Sequence, residues 1–165
     1  MIVAWNYIML KEVDNEEEAF REIRRFIDAN QLPAQTVTVS EGFTVGSSYM
    51  FFRKGDSYLQ HTDEQLFSCK QVCVEPAGIY GLPSPARISS GRELEFLIWY
   101  ENDRSKLQAL YELKSKEKFM KHHKPFGHNS EFELSRWREE YELLYSMLEN
   151  YLKDRAAEKE AQKCH

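Results

Sequence analysis

Residues 114–128 concentrate groups that bind anions. Lys114, Lys116, Lys118, Lys121 and Lys124 stand with His122, His123 and His128 against one acid, Glu117. Ammonium groups neutralise phosphates, and rings such as Phe119 and Phe126 can stack on bases, so the composition suits RNA, DNA or a nucleotide. The same cations also suit a helix C-terminus, where they offset the macrodipole and aid solubility. Lys114, Lys118, Lys121, His122 and Lys124 are the anion-binding candidates here. Residues 76–92 add two more, Arg87 and Arg92. This 17-residue stretch holds Pro76, Pro83 and Pro85 together with Gly78, Gly81 and Gly91. Long connections without regular structure commonly bind or gate something, and the Ser89-Ser90-Gly91-Arg92 run offers hydroxyl, amide and guanidinium donors. Its spacing matches no P-loop and no GxGxxG motif.

Acid–base chemistry has a weaker footing. His61-Thr62-Asp63-Glu64 is expected at a strand end, where His61 could act as a base oriented by Asp63, with a C-terminal histidine as the acid. A two-histidine phosphoesterase needs paired His-x-Thr/Ser motifs, and here Thr62 follows His61 directly. Cys69 or Cys73 could be a nucleophile only with a base beside it, and buried cysteines are ordinarily inert. No Cys-x-x-Cys or His-Glu-x-x-His is present, and His123, His128 and Glu131 fit no established zinc spacing, so no metal site and no cofactor are expected.

The chain's end carries an apolar seam. Leu134, Trp137, Tyr141, Leu144, Leu148 and Tyr151 follow a 3-4-3-4-3 spacing that marks one face of a helix, and the pattern fails at Arg155 and Glu158. Phe132, Leu143, Tyr145, Met147 and Leu152 lie off the seam, more apolar surface than one contact consumes. Trp137, Tyr141, Tyr145, Leu148 and Tyr151 are therefore the expected interface for a protein partner or a second copy, through residues 130–157.

Elements that would position these groups can be read from periodicity and punctuation. Residues 2–10 read as a strand and residues 15–30 as a helix, with Ala19, Phe20, Ile23, Phe26 and Ile27 at helical spacing and Asn15 and Glu18 forming a capping box. Thr36 to Val39, residues 43–53, residues 58–62 and residues 66–74 read as strands. In the last, Leu66, Ser68, Lys70, Val72 and Val74 share one face, and Phe67, Cys69, Gln71 and Cys73 share the other. Residues 93–100 read as the most buried strand. Ser105 with Gln108, and Ser130 with Glu133, open two further helices. The order predicts an α+β domain, with a mostly antiparallel sheet of five or six strands, one N-terminal helix and two C-terminal helices packed on it. A single domain is expected over residues 1–157, followed by a charged tail, residues 158–165, that frays.

The whole chain has 165 residues, 22 Lys plus Arg and 27 Asp plus Glu, a net −5, which argues against coating nucleic acid or an anionic membrane with the entire surface. The charge is uneven: residues 105–128 carry 6 bases and 2 acids, a net +4 between two acidic stretches. The apolar opening lacks a basic flank and a cleavage site and is too short to span a bilayer. Cys69 and Cys73 on one strand would stand about 13 Å apart, beyond disulfide reach, which suits reduced thiols and a cytoplasmic protein. The expectation is a small non-enzymatic binding or regulatory protein, with an anion-binding segment and a helix for protein association. The alternatives are a phosphodiester-acting enzyme using histidine acid–base catalysis, and a protein–protein inhibitor or adaptor without nucleic-acid binding.

Overall fold

The structure is a computed structural model that describes residues 1–5, 8–32, 35–46, 50–76, 94–103, 106–107, 115–125 and 127–163. Its elements are β1 (Ile2–Trp5), β2 (Ile8–Glu12), α1 (Glu16–Ala29), β3 (Gln35–Val45), β4 (Phe51–Arg53), α2 (Ser57–Gln60), β5 (Leu66–Pro76), β6 (Leu94–Trp99), α3 (Lys116–His123) and α4 (Glu131–Lys163). The fold is α+β, with one antiparallel six-stranded sheet in the order β2-β1-β6-β5-β3-β4. The chain groups into two compact units, residues 1–23, 35–75 and 93–112 in the first, and residues 24–34, 76–92 and 113–165 in the second.

In the first unit the central pair is β1 with β6. All four residues of β1 are buried, as are Phe96, Leu97, Ile98 and Trp99 of β6. The register, Ile2↔Trp99 and Ala4↔Leu97, continues to Cys69↔Trp99 on β5. Successive side chains alternate faces, so Ile2, Ala4, Leu97, Trp99 and Cys69 point one way and cluster with Phe67 and Leu107. Val3, Trp5, Phe96, Ile98, Val72 and Lys70 point the other way. The first two turns of α1 cross that second face: Glu16 meets Lys70 on β5 at 2.7 Å, and Glu22 meets Lys11 on β2 at 3.5 Å. Each large apolar side chain buried here stabilises the fold by about 1.5–3 kcal/mol.

The N-terminus of α1 is closed as its sequence requires. Asn15 Oδ1 accepts from the Glu18 N–H at 2.9 Å, while Glu18 Oε2 accepts from the Asp14 N–H at 3.1 Å. Three glutamates in the first turn complement the dipole.

Two local expectations change. The single strand over residues 2–10 is a hairpin, β1 and β2, paired Trp5↔Ile8 with a bulge opposite Val3 and Ala4. Apolar character runs through both strands, so composition does not reveal the reversal. The return strand over residues 58–62 is replaced by α2, which buries no residue and so has no face to commit to a sheet. Gly55, at φ +97°, turns the chain sharply, Asp56 Oδ2 accepts from the Arg53 N–H at 2.8 Å, and Tyr58 stacks on Phe52 with ring centroids 5.0 Å apart. At Gly42 an added Cβ would lie 2.7 Å from the Phe51 ring and 2.1 Å from the Phe52 carbonyl oxygen, so only glycine lets β4 approach β3 there.

The second unit contains the last turns of α1 with α3 and α4. Leu144, Met147, Leu148 and Tyr151 of α4 are buried, and Tyr151 meets Phe26 with centroids 5.6 Å apart. Asn30 binds the two helices together: its Nδ2 donates to the Phe26 carbonyl at 2.9 Å and the Met147 carbonyl at 3.1 Å, and its Oδ1 accepts from Asn150 at 3.0 Å. Arg25 adds ion pairs to Asp154 and Glu158. The helix continues to Lys163, beyond the point where the apolar seam fails. Ser130 Oγ accepts from the Glu133 N–H at 3.2 Å, the cap expected from the sequence. The start expected at Ser105 and Gln108 lies outside the described residues; α3 begins after Ser115, whose Oγ accepts from the Lys118 N–H at 3.2 Å. Ser115 is followed three residues on by lysine, so it shows no capping-box pattern. Among the described residues no helix is long and apolar enough to cross a membrane.

One buried polar contact tests this account. Trp99 Nε1 donates to Thr44 Oγ1 at 2.7 Å, and both residues are almost fully buried. Thr44→Val is expected to lower the unfolding free energy in urea by about 1–3 kcal/mol. Combined with Trp99→Phe it should cost less than the two single changes together. Strict additivity would show that the bond contributes nothing of its own.

Candidate functional site

The anion-binding candidates divide sharply. Lys118 and Lys121 lie one turn apart on α3, and Lys124 is its C-cap residue. Residues three apart on a helix are surface neighbours, so Lys118 and Lys121 stand side by side, and Lys124 continues the row. All three are exposed, and none has an ion-pair partner among the described residues. Lys116 is differently placed: its ammonium reaches Glu142 at 4.0 Å and lies 5.9 Å from the centre of the Tyr145 ring. Phe119, the ring expected to stack on a base, is fully buried between Tyr141 and Tyr145, with centroids 6.3 and 5.5 Å away. It is a packing residue because its position on α3 faces α4. His128 is exposed. Arg87, Arg92, Lys114 and Phe126 lie outside the described residues, as does the side chain of His122.

The expected partner surface of α4 is reduced. Leu148 and Tyr151 have no exposed surface and belong to the chain's own core. Tyr141 and Tyr145 are half-buried against Phe119, and Trp137 is half-buried beside Tyr141, with centroids 6.4 Å apart. The 3-4 seam is thus largely consumed by packing inside the second unit. Phe132, 74 % exposed, and Leu152 are the large apolar side chains that α4 leaves in solvent.

His61 and Asp63 are both exposed, beyond the end of α2 rather than at a strand end. Among the described residues no carboxylate hydrogen-bonds His61, and Thr62 Oγ1 instead accepts from the Glu64 N–H at 3.2 Å. Such a histidine has nothing to fix its tautomer or orientation, which acid–base catalysis requires. Neither Cys69 nor Cys73 forms a disulfide among the described residues. Burial pushes the Cys69 thiol up to about 12, so it is neutral at physiological pH and unsuited to nucleophilic attack. No group of three or more potential ligands for a metal ion occurs among the described residues.

One polar cluster was not legible in the sequence. Glu16, at the start of α1, accepts hydrogen bonds from Lys70 on β5 and from the Tyr100 hydroxyl just beyond β6, and Glu41 of β3 lies 3.7 Å from the same ammonium. The Lys70 ammonium, with Tyr100, holds the Glu16 carboxyl below the usual carboxylate range. Glu16 in turn holds Lys70 above its ordinary value. Burial, with Glu16 beside it, pushes the Tyr100 hydroxyl up. At neutral pH the three groups are therefore a carboxylate, an ammonium and a neutral phenol, each satisfied by the others. The cluster fastens α1 to the sheet and leaves no available base. Its partners are 54 and 84 residues from Glu16 in sequence, and no local pattern links them. A separate cleft of about 360 Å³, lined by Met1, Ile2, Glu12, Val13, Asp14 and Asn102, contains none of the residues singled out from sequence.

No protein-family model, curated protein or solved structure matches the chain.

Two outcomes are expected from these groups. Glu16 is depressed, so its contribution to stability is present above the ordinary carboxylate range and disappears as pH falls through the lowered folded value. Lys70 is raised, so its contribution is present below the ordinary lysine range and disappears as pH rises through the raised folded value. Glu16→Gln should consequently lower the urea midpoint at pH 7, and the gap from the wild type should close at the acid end. A gap independent of pH would contradict the assignment. Separately, Cys69 in the folded protein should be alkylated about a thousandfold more slowly at pH 8 than in urea, as judged by peptide mass analysis. Equal rates would show an accessible thiolate.

Proposed function

We propose that this chain is a small non-enzymatic binding protein that holds an anionic ligand, with a nucleic-acid phosphate backbone the best-fitting chemistry, along the lysine row of α3. The observation that carries this reading is the placement of Lys118, Lys121 and Lys124, exposed at steps of three residues and without an acidic partner among the described residues. A cation that only stabilises a helix end or solubilises a surface needs no such grouping, although Lys121 and Lys124 also offset the α3 dipole. The preceding lysine, Lys116, has an acid and a ring beside it, so the free row is a local feature rather than the rule for this helix. Phosphates spaced along a strand are neutralised by such a row with release of counterions.

The same reading assigns protein association to the apolar side chains that α4 leaves exposed, centred on Phe132 and Leu152. A regulatory role would follow from coupling a charged ligand to a protein partner on one unit. The exposed, unoriented His61 gives the phosphodiester-cleaving alternative no comparable support.

Fluorescence anisotropy with a labelled single-stranded oligonucleotide tests the reading. Binding should weaken steeply with salt, and Lys118→Glu/Lys121→Glu/Lys124→Glu should abolish it while leaving the far-ultraviolet circular dichroism unchanged. Single neutral substitutions should each reduce the slope of log K against log salt by about 0.7. Binding that is independent of salt, or that survives the triple reversal, would overturn it.

A further inference from the structure

β3 is 11 residues long, but β4 pairs with it only at Gly42, Phe43 and Thr44. Beyond Gly42 the chain on the β4 side turns away at Gly55 into α2. Among the described residues, therefore, no strand pairs with the outer side of residues 35–41, an edge about 23 Å long. The middle of this segment is also open on both faces: Val37 is 43 % and Val39 45 % exposed, and Thr38 between them is exposed.

Unpaired edges invite pairing with another strand, and proteins ordinarily blunt them with charge, proline, bulges or brevity. The other outer strands of this sheet are blunted. β2 carries a bulge, Lys11 and Glu12, and β4 is three residues long. The β3 edge has none of these devices from Gln35 to Ser40. Its sequence, Gln35-Thr36-Val37-Thr38-Val39-Ser40-Glu41, is instead complementary to itself.

We propose that residues 35–41 pair antiparallel with the same segment of a second copy of this chain, about a twofold axis through Thr38. In that register Val37 stands opposite Val39 of the other copy twice over, on one face, and Thr36 stands opposite Ser40. Gln35 stands opposite Glu41, so no like charges face each other. Directly opposed β-branched pairs and hydroxyl pairs each stabilise an antiparallel sheet. Moving the axis to Val37 or Val39 sets a valine against Gln35 or Glu41, which leaves the central register preferred. The pairing gives partners to backbone donors and acceptors that no described strand engages and covers the two valines, joining two six-stranded sheets through an isologous contact. This surface is distinct from α4, and the inference does not rest on the lysine row of α3.

Sedimentation equilibrium and oxidative cross-linking test it. The wild type should dimerise, and Val37→Lys/Val39→Lys, which places lysines opposite one another, should raise the dissociation constant about tenfold or more. Mixing that variant with Val37→Glu/Val39→Glu should restore a dimer. Thr38→Cys should form an intermolecular disulfide that the wild type's own cysteines do not, because opposed residues stand about 4.5–5.5 Å apart. The Thr38→Cys result decides the matter if the lysine variant fails to fold. A monomeric wild type overturns the proposal. So does a dimer that withstands the lysine pair and gives no Thr38→Cys cross-link, which would place self-association on another surface.

Discussion

The constraint from which the rest of the first unit follows is that β1 and β6 are apolar on both faces. A strand with one apolar face can leave the other to water, but Ile2–Trp5 and Phe96–Trp99 cannot. Both faces of the sheet must therefore be covered near its centre. On one side the cover includes Leu107, with Met9 and Phe51 packed at the margin. On the other the first turns of α1 cross from β5 to β2. Once the faces are closed, each polar group left on them must find a partner. Lys70 finds Glu16, Lys11 finds Glu22 and Thr44 finds Trp99. These contacts are consequences of the two-sided burial, and they fix where along the strands α1 can sit.

The second unit follows a different logic. α4 is long, and its seam is divided between α3, through Phe119 with Tyr141 and Tyr145, and the end of α1, through Phe26 with Tyr151. The apolar excess that makes this helix resemble an interface is thus mostly spent within the chain. While Phe119 packs inward, Lys118 and Lys121 are exposed and have no ion-pair partner among the described residues. A buried aromatic and exposed cations on one short helix are two results of the same amphipathic placement.

Some of this was legible residue by residue. Asn15 and Ser130 cap α1 and α4 as their spacing to Glu18 and Glu133 requires, because capping is a contact between near neighbours. The alternation in residues 66–74 places Lys70 and Cys69 on opposite faces, as the register bears out. Other features were hidden because their cause is distant. The hairpin β1–β2 reads as one strand because both halves are apolar, and α2 stands where a return strand was expected, with no buried residue to commit it to the sheet. The Glu16–Lys70–Tyr100 cluster joins three elements that no window of sequence contains together.

The sequence by itself determined the class of fold, the alternation of faces, the helix caps and the concentration of positive charge between residues 105 and 128. Each depends on residues within a few positions of one another, where propensity and periodicity act. Tertiary structure alone decided which apolar residues of α4 were core and which lysines of α3 were already paired. It also decided that Cys69 is a desolvated thiol rather than a nucleophile, and that, among the described residues, no strand pairs with the outer side of residues 35–41 of β3. Those outcomes depend on what lies across the fold, since burial and pairing are properties of surroundings, not of residue type.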